Sequence, residues 1–146
     1  MDKPLPYVTA AILCEKVLQE KDESISLMRI ADRVQYRLEG APKGVKPMVA
    51  IQGLVSIKSG PVTGDHTVRL VIERPNGDRK EAHTQPVKLL GKDHGQNIIL
   101  NIGLGVEMDG VYWFDVEFDD QLLTRIPITI TQLEAPGQNA PAKGQP

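Results

Sequence analysis

Apolar residues recur at every second position over most of this 146-residue chain, in runs separated by turn residues. Alternation with period two places one set of side chains on one face of a β-strand, and a helix cannot use it. In "HTVRLVIERPNGD", His66, Val68, Leu70 and Ile72 share a face, with Thr67, Arg69 and Glu73 on the other. "QNIILNIGLGVEMDG" sets Ile98, Leu100, Ile102, Leu104 and Val106 against Ile99, Asn101, Gly103 and Gly105. In "VYWFDVEFDDQLLTRIPITI", Tyr112, Phe114, Val116 and Phe118 point inward and Trp113, Asp115 and Glu117 outward. Past the turn at Asp119-Asp120, Leu122, Ile126, Ile128 and Ile130 point inward, and Arg125 and Thr129 outward. Asn76-Gly77 and Asp109-Gly110 supply tight-turn signals with positive φ.

"MVAIQGLVSIKSG" adds a strand with Val49, Ile51, Val55 and Ile57 on one face, and "SGPVTGD" reads as the loop after it. Gly103 and Gly105, inside a strand, mark a bulge or a close backbone approach. Pro127 lacks an N–H and belongs on a strand edge or at a bulge. Residues 7–19 also fit helical spacing through Ala10, Leu13, Cys14, Val17 and Leu18. A hairpin is the preferred reading, because Met28, Ile30, Val34, Tyr36 and Leu38 alternate downstream and "EKDES" makes a short polar connection. In that hairpin Asp32 falls on the apolar face between Ile30 and Val34, where a carboxylate needs a partner. "EGAPKGVKP" is a loop between sheets.

Short strands at about 8–12 residue spacing predict an all-β antiparallel sandwich of about eight strands, immunoglobulin-like in the broad sense. A single domain over residues 1–132 is expected. Residues 133–146, rich in proline and glycine, contain too little apolar surface to offset their ordering entropy and read as a disordered tail.

"YVTAAILCEKVLQEKDESISLMRIADRV" at the front and "GVYWFDVEFDDQLLTRIPITI" at the back resemble a family of small bacterial proteins of unknown function. That resemblance implies a bacterial or phage origin and brings no catalytic residue or ligand with it. The back motif is also similar to the late strands of immunoglobulin-like sandwiches, a likeness of fold alone.

Chemistry is sparse. The net charge of −2 offers no excess of cations to displace phosphate counterions, so no nucleic-acid partner is expected. The longest greasy stretch, "VTAAILC", is far short of the ~20 residues that span a bilayer, so no membrane partner is expected either. The N-terminus lacks a signal-peptide pattern and the one cysteine cannot form an internal disulfide, so a cytoplasmic location follows as the default. Cys14 stands between Leu13 and Glu15, where a carboxylate would raise its pKa, and is read as buried. His66, His83 and His94 show no metal-ligand spacing. No catalytic residue, metal or cofactor is expected.

The best surface is a charged one. Arg29, Arg33 and Arg37 lie four residues apart on one side of the second strand, about 13 Å from one to the next. Trp113, Asp115 and Glu117 form the outward row of the aromatic strand. Neighbouring strands would pair these rows as a solvated face; separated, an exposed Trp among charges is the composition of a binding hot spot. The expectation is a non-enzymatic protein-interaction module whose partner is another protein or a second copy. The alternative is a small-ligand or carbohydrate-binding sandwich using Trp113, and an enzyme built on Cys14 or the histidines is the remote third.

Overall fold

A computed structural model describes residues 3–38, 44 and 46–133. The expected tail lies outside the described residues but for Leu133, and so does most of the expected loop at 39–47. Seven strands make up the chain: β1 (Tyr7–Gln19), β2 (Ile25–Ile30), β3 (Arg33–Tyr36), β4 (Met48–Glu73), β5 (Arg79–Gly105), β6 (Gly110–Phe118) and β7 (Gln121–Gln132). Hydrogen bonds run β2-β1-β4-β6-β7-β3, with β5 also on β4. The hairpin reading of residues 7–19 holds: β1 pairs with β2 antiparallel, Val17 opposite Leu27.

The sheet is one continuous surface curled into two layers. β4 and β5 pair over almost their whole length, and β4 gives its other side to β1 over its first half and to β6 over its second. The pairing slips at Lys58/Gly60 and Gly60/Thr63, within the segment read as a loop from its glycines and proline. Bulges bend and twist a strand without ending it, so "SGPVTGD" is a corner inside β4. That corner replaces the expected strand–loop–strand with one strand of 26 residues and brings the count to seven. Gly60 at φ +58° supports the turn, and a Cβ there would lie 2.5 Å from the Tyr7 ring.

One core lies between the layers. It takes Val49, Ile51, Val55 and Ile57 from β4 before the corner and Val68, Leu70 and Ile72 after it. Ile98, Leu100, Ile102 and Leu104 of β5, and Tyr112, Phe114, Val116 and Phe118 of β6, fill it from the expected faces. In "PNGD" only Gly77 has positive φ, because Gly77 N–H bonds Arg74 C=O in a turn that glycine closes. Asp119 and Asp120 both have positive φ and form the tight turn into β7.

Several expectations fail locally. A register shift at Val116/Glu117 turns Leu122 outward, half exposed, and packs Leu123 on the core instead. The second strand breaks after Ile30, so Asp32 stands exposed between β2 and β3 and needs no buried partner. β3 then joins the opposite layer, parallel to β7, with Arg33 opposite Thr129, so the sheet is not wholly antiparallel. Met28 and Ile30 are 47% and 67% exposed and do not continue an inward face. Gly103 and Gly105 sit in unbroken register, with no bulge, under the Met48 side chain. Pro127 lies on β7 just before its pairing with β3 begins.

Candidate functional site

The outward row of β6 sits at the centre of an ionic network. Cross-strand register sets Trp113 opposite Glu73 and Glu117 opposite Arg69 on β4, and Asp115 opposite Arg125 on β7. Asp115 is only 3% exposed, and a carboxylate taken out of water needs charged partners. Arg79 Nη1 donates to one of its oxygens at 2.8 Å and Arg125 Nε to the other at 2.7 Å. Arg79 also reaches Glu73 at 2.8 Å, and Arg69 bridges Glu81 at 3.2 Å and Asp120 at 3.0 Å. The hydrogen bonds to Asp115 and then to Glu73 raise the Arg79 pKa further. The Arg125 guanidinium lies 4.4 Å from the centre of the Trp113 ring and covers one of its faces, a contact that gains both electrostatic and packing energy.

The arginine row is a different matter. Arg29, at positive φ, lies on β2 and reaches Glu15 at 3.6 Å. Arg33 lies on β3 and Arg37 follows that strand, both exposed. Because the chain changes layers between Ile30 and Arg33, the three do not form one ribbon. Arg29 and Arg33 instead flank a cleft of about 240 Å³ where the chain crosses. The partners of Asp115 and Glu117 are Arg79, Arg125 and Arg69, the latter two among the outward residues of the sequence reading. Arg79 had no signal in the sequence, since its place opposite Glu73 depends on the hairpin register.

Reactive groups are buried or hydrogen-bonded. Cys14 is 1% exposed, and burial pushes its thiol pKa up against a weaker opposing hydrogen bond from Lys16. His66 stacks on Phe118 and holds Asp119 Oδ2 through Nδ1 at 2.5 Å and Thr63 C=O through Nε2 at 2.8 Å. Carboxylate and carbonyl oxygens are acceptors, so these contacts favour the imidazolium form, which donates from both nitrogens. The Asp119 hydrogen bond raises the His66 pKa over the opposing effect of burial. Burial pushes the Asp119 carboxyl up, but the His66 and Thr67 hydrogen bonds outweigh it and hold it low. His83 bonds Gln85, and His94 accepts the Leu90 N–H. Among the described residues no cluster of three or more His, Cys, Asp or Glu could hold a metal, and no helix is long and apolar enough to cross a membrane.

The least expected feature is an edge. Three strands have an outer side with no partner strand along their whole length among the described residues: β2, β3 and β5. Exposed edges invite pairing, and proteins blunt them with brevity, charge or proline. β2 and β3 are short and carry Arg29 and Arg33. The first part of β5 carries Arg79, Lys80, Glu81, Lys88, Lys92, Asp93 and Pro86. From Gly95 to Gly105 there is neither charge nor proline. This stretch borders a cleft of about 300 Å³ between the two ends of β5, floored by Ile72, Ile102 and Leu104. The sequence held the signal, an uncharged run between Asp93 and Glu107, but not its position at an edge.

Residues 9–131 match the profile of a protein family described as a family of unknown function, DUF6941. The chain belongs to that family. No curated protein matches. Among solved structures, a β-glucosidase from Listeria innocua in complex with isofagomine aligns at TM-score 0.49 and 10% identity, over 86% of this chain and 16% of that one. The chain thus spans about a sixth of the glucosidase it matches. The CARDB domain of a Pyrococcus furiosus protein, solved with di-metal ions, aligns at 0.43 and 11%, over 90% and 100%. An immunoglobulin-like protein from Pseudomonas aeruginosa aligns at 0.40 and 10%, over 87% and 97%. The chain is all-β and belongs to a family whose function is not defined.

Proposed function

We propose that this DUF6941 chain is a non-enzymatic protein-interaction module of a bacterial or phage protein, working in the cytoplasm and binding through the free edge of β5. The carrying observation is the uncharged stretch Gly95–Gly105 on the open edge of β5, whose earlier part is charged. Apart from Gly105 C=O, which accepts from Arg74 Nη1 at 2.8 Å, its alternate backbone N–H and C=O groups have no strand to bond. An added strand satisfies them while its side chains set specificity. The burial of Cys14 and the paired ring of His66 support a role without covalent or acid–base chemistry. The Trp113 face supports it less, since Arg125 already lies on the ring.

The test is capture from a lysate of the source organism by the wild-type chain and by Asn97→Lys/Asn101→Lys. Both asparagines lie on the outer face of β5, and lysine on an edge opposes strand addition. A stoichiometric protein captured by the wild type and lost with the variant supports the reading. Capture that is indifferent to the edge lysines refutes it.

A further inference from the structure

We infer that the strand received by the β5 edge is the same edge of a second copy, paired antiparallel about a two-fold axis at Ile99; this rests on the edge-binding reading above. A two-fold contact between identical strands is self-complementary only if each residue suits the one it meets. On β5 the outward side chains are Asn97, Ile99, Asn101 and Gly103, since their β4 partners Ser56, Leu54, Gln52 and Ala50 alternate with core residues. Centring the axis on Ile99 sets Ile99 against Ile99 and Asn97 against Asn101, twice. The inward side sets Ile98 against Leu100, twice, which extends the core pattern across the contact.

Gly95 then meets Gly103, Asn97 meets Asn101 and Ile99 meets Ile99, all uncharged. Gln96 meets Ile102 on the inward side, and Asp93 reaches Gly105 only at the ends of the contact. Moving the centre to Leu100 would oppose Asn97 to Gly103 and Ile99 to Asn101, which loses both matches. The asparagines are also held for the purpose. Ser56 Oγ bonds Asn97 Oδ1 at 2.7 Å, and Gln52 Nε2 bonds Asn101 Oδ1. These bonds engage the carbonyl ends, so each amide NH2 is left to reach the facing asparagine's carbonyl, whose oxygen has a second lone pair. Ile99 lies beside Leu54 on the outer face. Opposing two Ile99 side chains covers apolar surface, and cross-strand aliphatic pairs at that spacing stabilise a sheet.

The register makes a charge-swap test possible. Sedimentation velocity is run on the wild type, Asn97→Lys/Asn101→Lys and Asn97→Lys/Asn101→Glu, with circular dichroism and thermal melting confirming that each variant is folded. The wild type is expected to dimerise below about 1 mM. In the double-lysine variant the cation introduced at position 97 faces the one introduced at position 101 of the other copy, and dimerisation weakens at least tenfold. In the lysine–glutamate variant each introduced lysine faces an introduced glutamate of the other copy, so the dimer returns and then weakens with added salt. A wild type that stays monomeric overturns the inference, as does a dimer indifferent to the lysines or a lysine–glutamate variant that stays monomeric. If the wild type is monomeric yet a lysate partner is lost with the lysines, the edge binds a foreign strand and only the second copy is refuted. Loss of neither refutes both readings.

Discussion

Asp115 is the residue whose loss should cost this fold most among its polar groups. Asp115→Asn keeps the shape and removes the charge, leaving an amide whose NH2 faces a guanidinium. Each carboxylate oxygen receives one charged hydrogen bond, at 2.7 and 2.8 Å, and such bonds contribute about 1.5–3 kcal/mol each. Breaking a buried ion pair costs about 3–5 kcal/mol when the remaining charge is stranded. Here the stranded groups are not fully buried: Arg79 and Arg125 are 41% and 37% exposed and keep Glu73 within 2.8 and 3.7 Å. Water and Glu73 therefore take up part of the loss, and exposed pairs are screened. The expected destabilisation is about 2–3 kcal/mol, which lowers the Tm of a domain this size by about 6–12 °C. Urea unfolding followed by the fluorescence of Trp113, the one tryptophan, should show a lower midpoint at unchanged slope. A loss below about 0.5 kcal/mol would mean that the network is an ordinary solvated face, and the reasoning from burial would be wrong.

Three other perturbations probe the fold. The His66 pKa should lie above its usual ~6.5, with Asp119 held low and Asp65 adding to the field on the ring. His66 then contributes stability that is fully present below ~6.5 and lost as pH rises through its raised pKa. Asp119 contributes stability present above its usual ~3.8 and lost as pH falls through its lowered one. A denaturation midpoint that is flat between those limits, falls on the alkaline side and loses that fall in His66→Gln is expected; histidine NMR showing His66 at or below ~6.5 would contradict it. Gly60→Ala places a Cβ 2.5 Å from the Tyr7 ring at positive φ, but Tyr7 is 64% exposed and can swing aside. The cost should be about 1–2 kcal/mol, mostly backbone strain, and a melt equal to the wild type would show that the corner does not need glycine. Cys14 in the folded protein should resist alkylation at neutral pH until unfolding exposes it, and labelling at the rate of a free thiol would place it at the surface.

Alternation was enough to find the inward faces of β6 and of β5 from Ile98 onward, and most of that of β4, because each residue's side there depends only on the local pleat. It failed where a bulge shifted the count. Leu122 and Leu123 exchanged sides at one such slip, and "SGPVTGD" looked like a loop because bulged strands use the same glycines as turns. The break at Ala31–Asp32 was hidden by continued alternation on both sides, so Asp32 and the arginine row were placed on a strand that the chain does not form. The role of Asp115 was out of reach for a different reason. Its outward position was legible, but its burial comes from Arg79 and Arg125, brought over it by the register of four strands. The free edge of β5 depends on strand order, which pattern within single strands cannot encode.

Amide hydrogen exchange along β5, measured at low and high protein concentration, tests the edge most directly. Between Gln96 and Leu104, the N–H groups bonded to β4 should be protected at both concentrations, and the alternate ones pointing away should be fast when dilute and slow when concentrated. Asn97→Lys/Asn101→Lys should keep those outward amides fast throughout. Outward amides that exchange at one rate whatever the concentration would contradict pairing between two β5 edges.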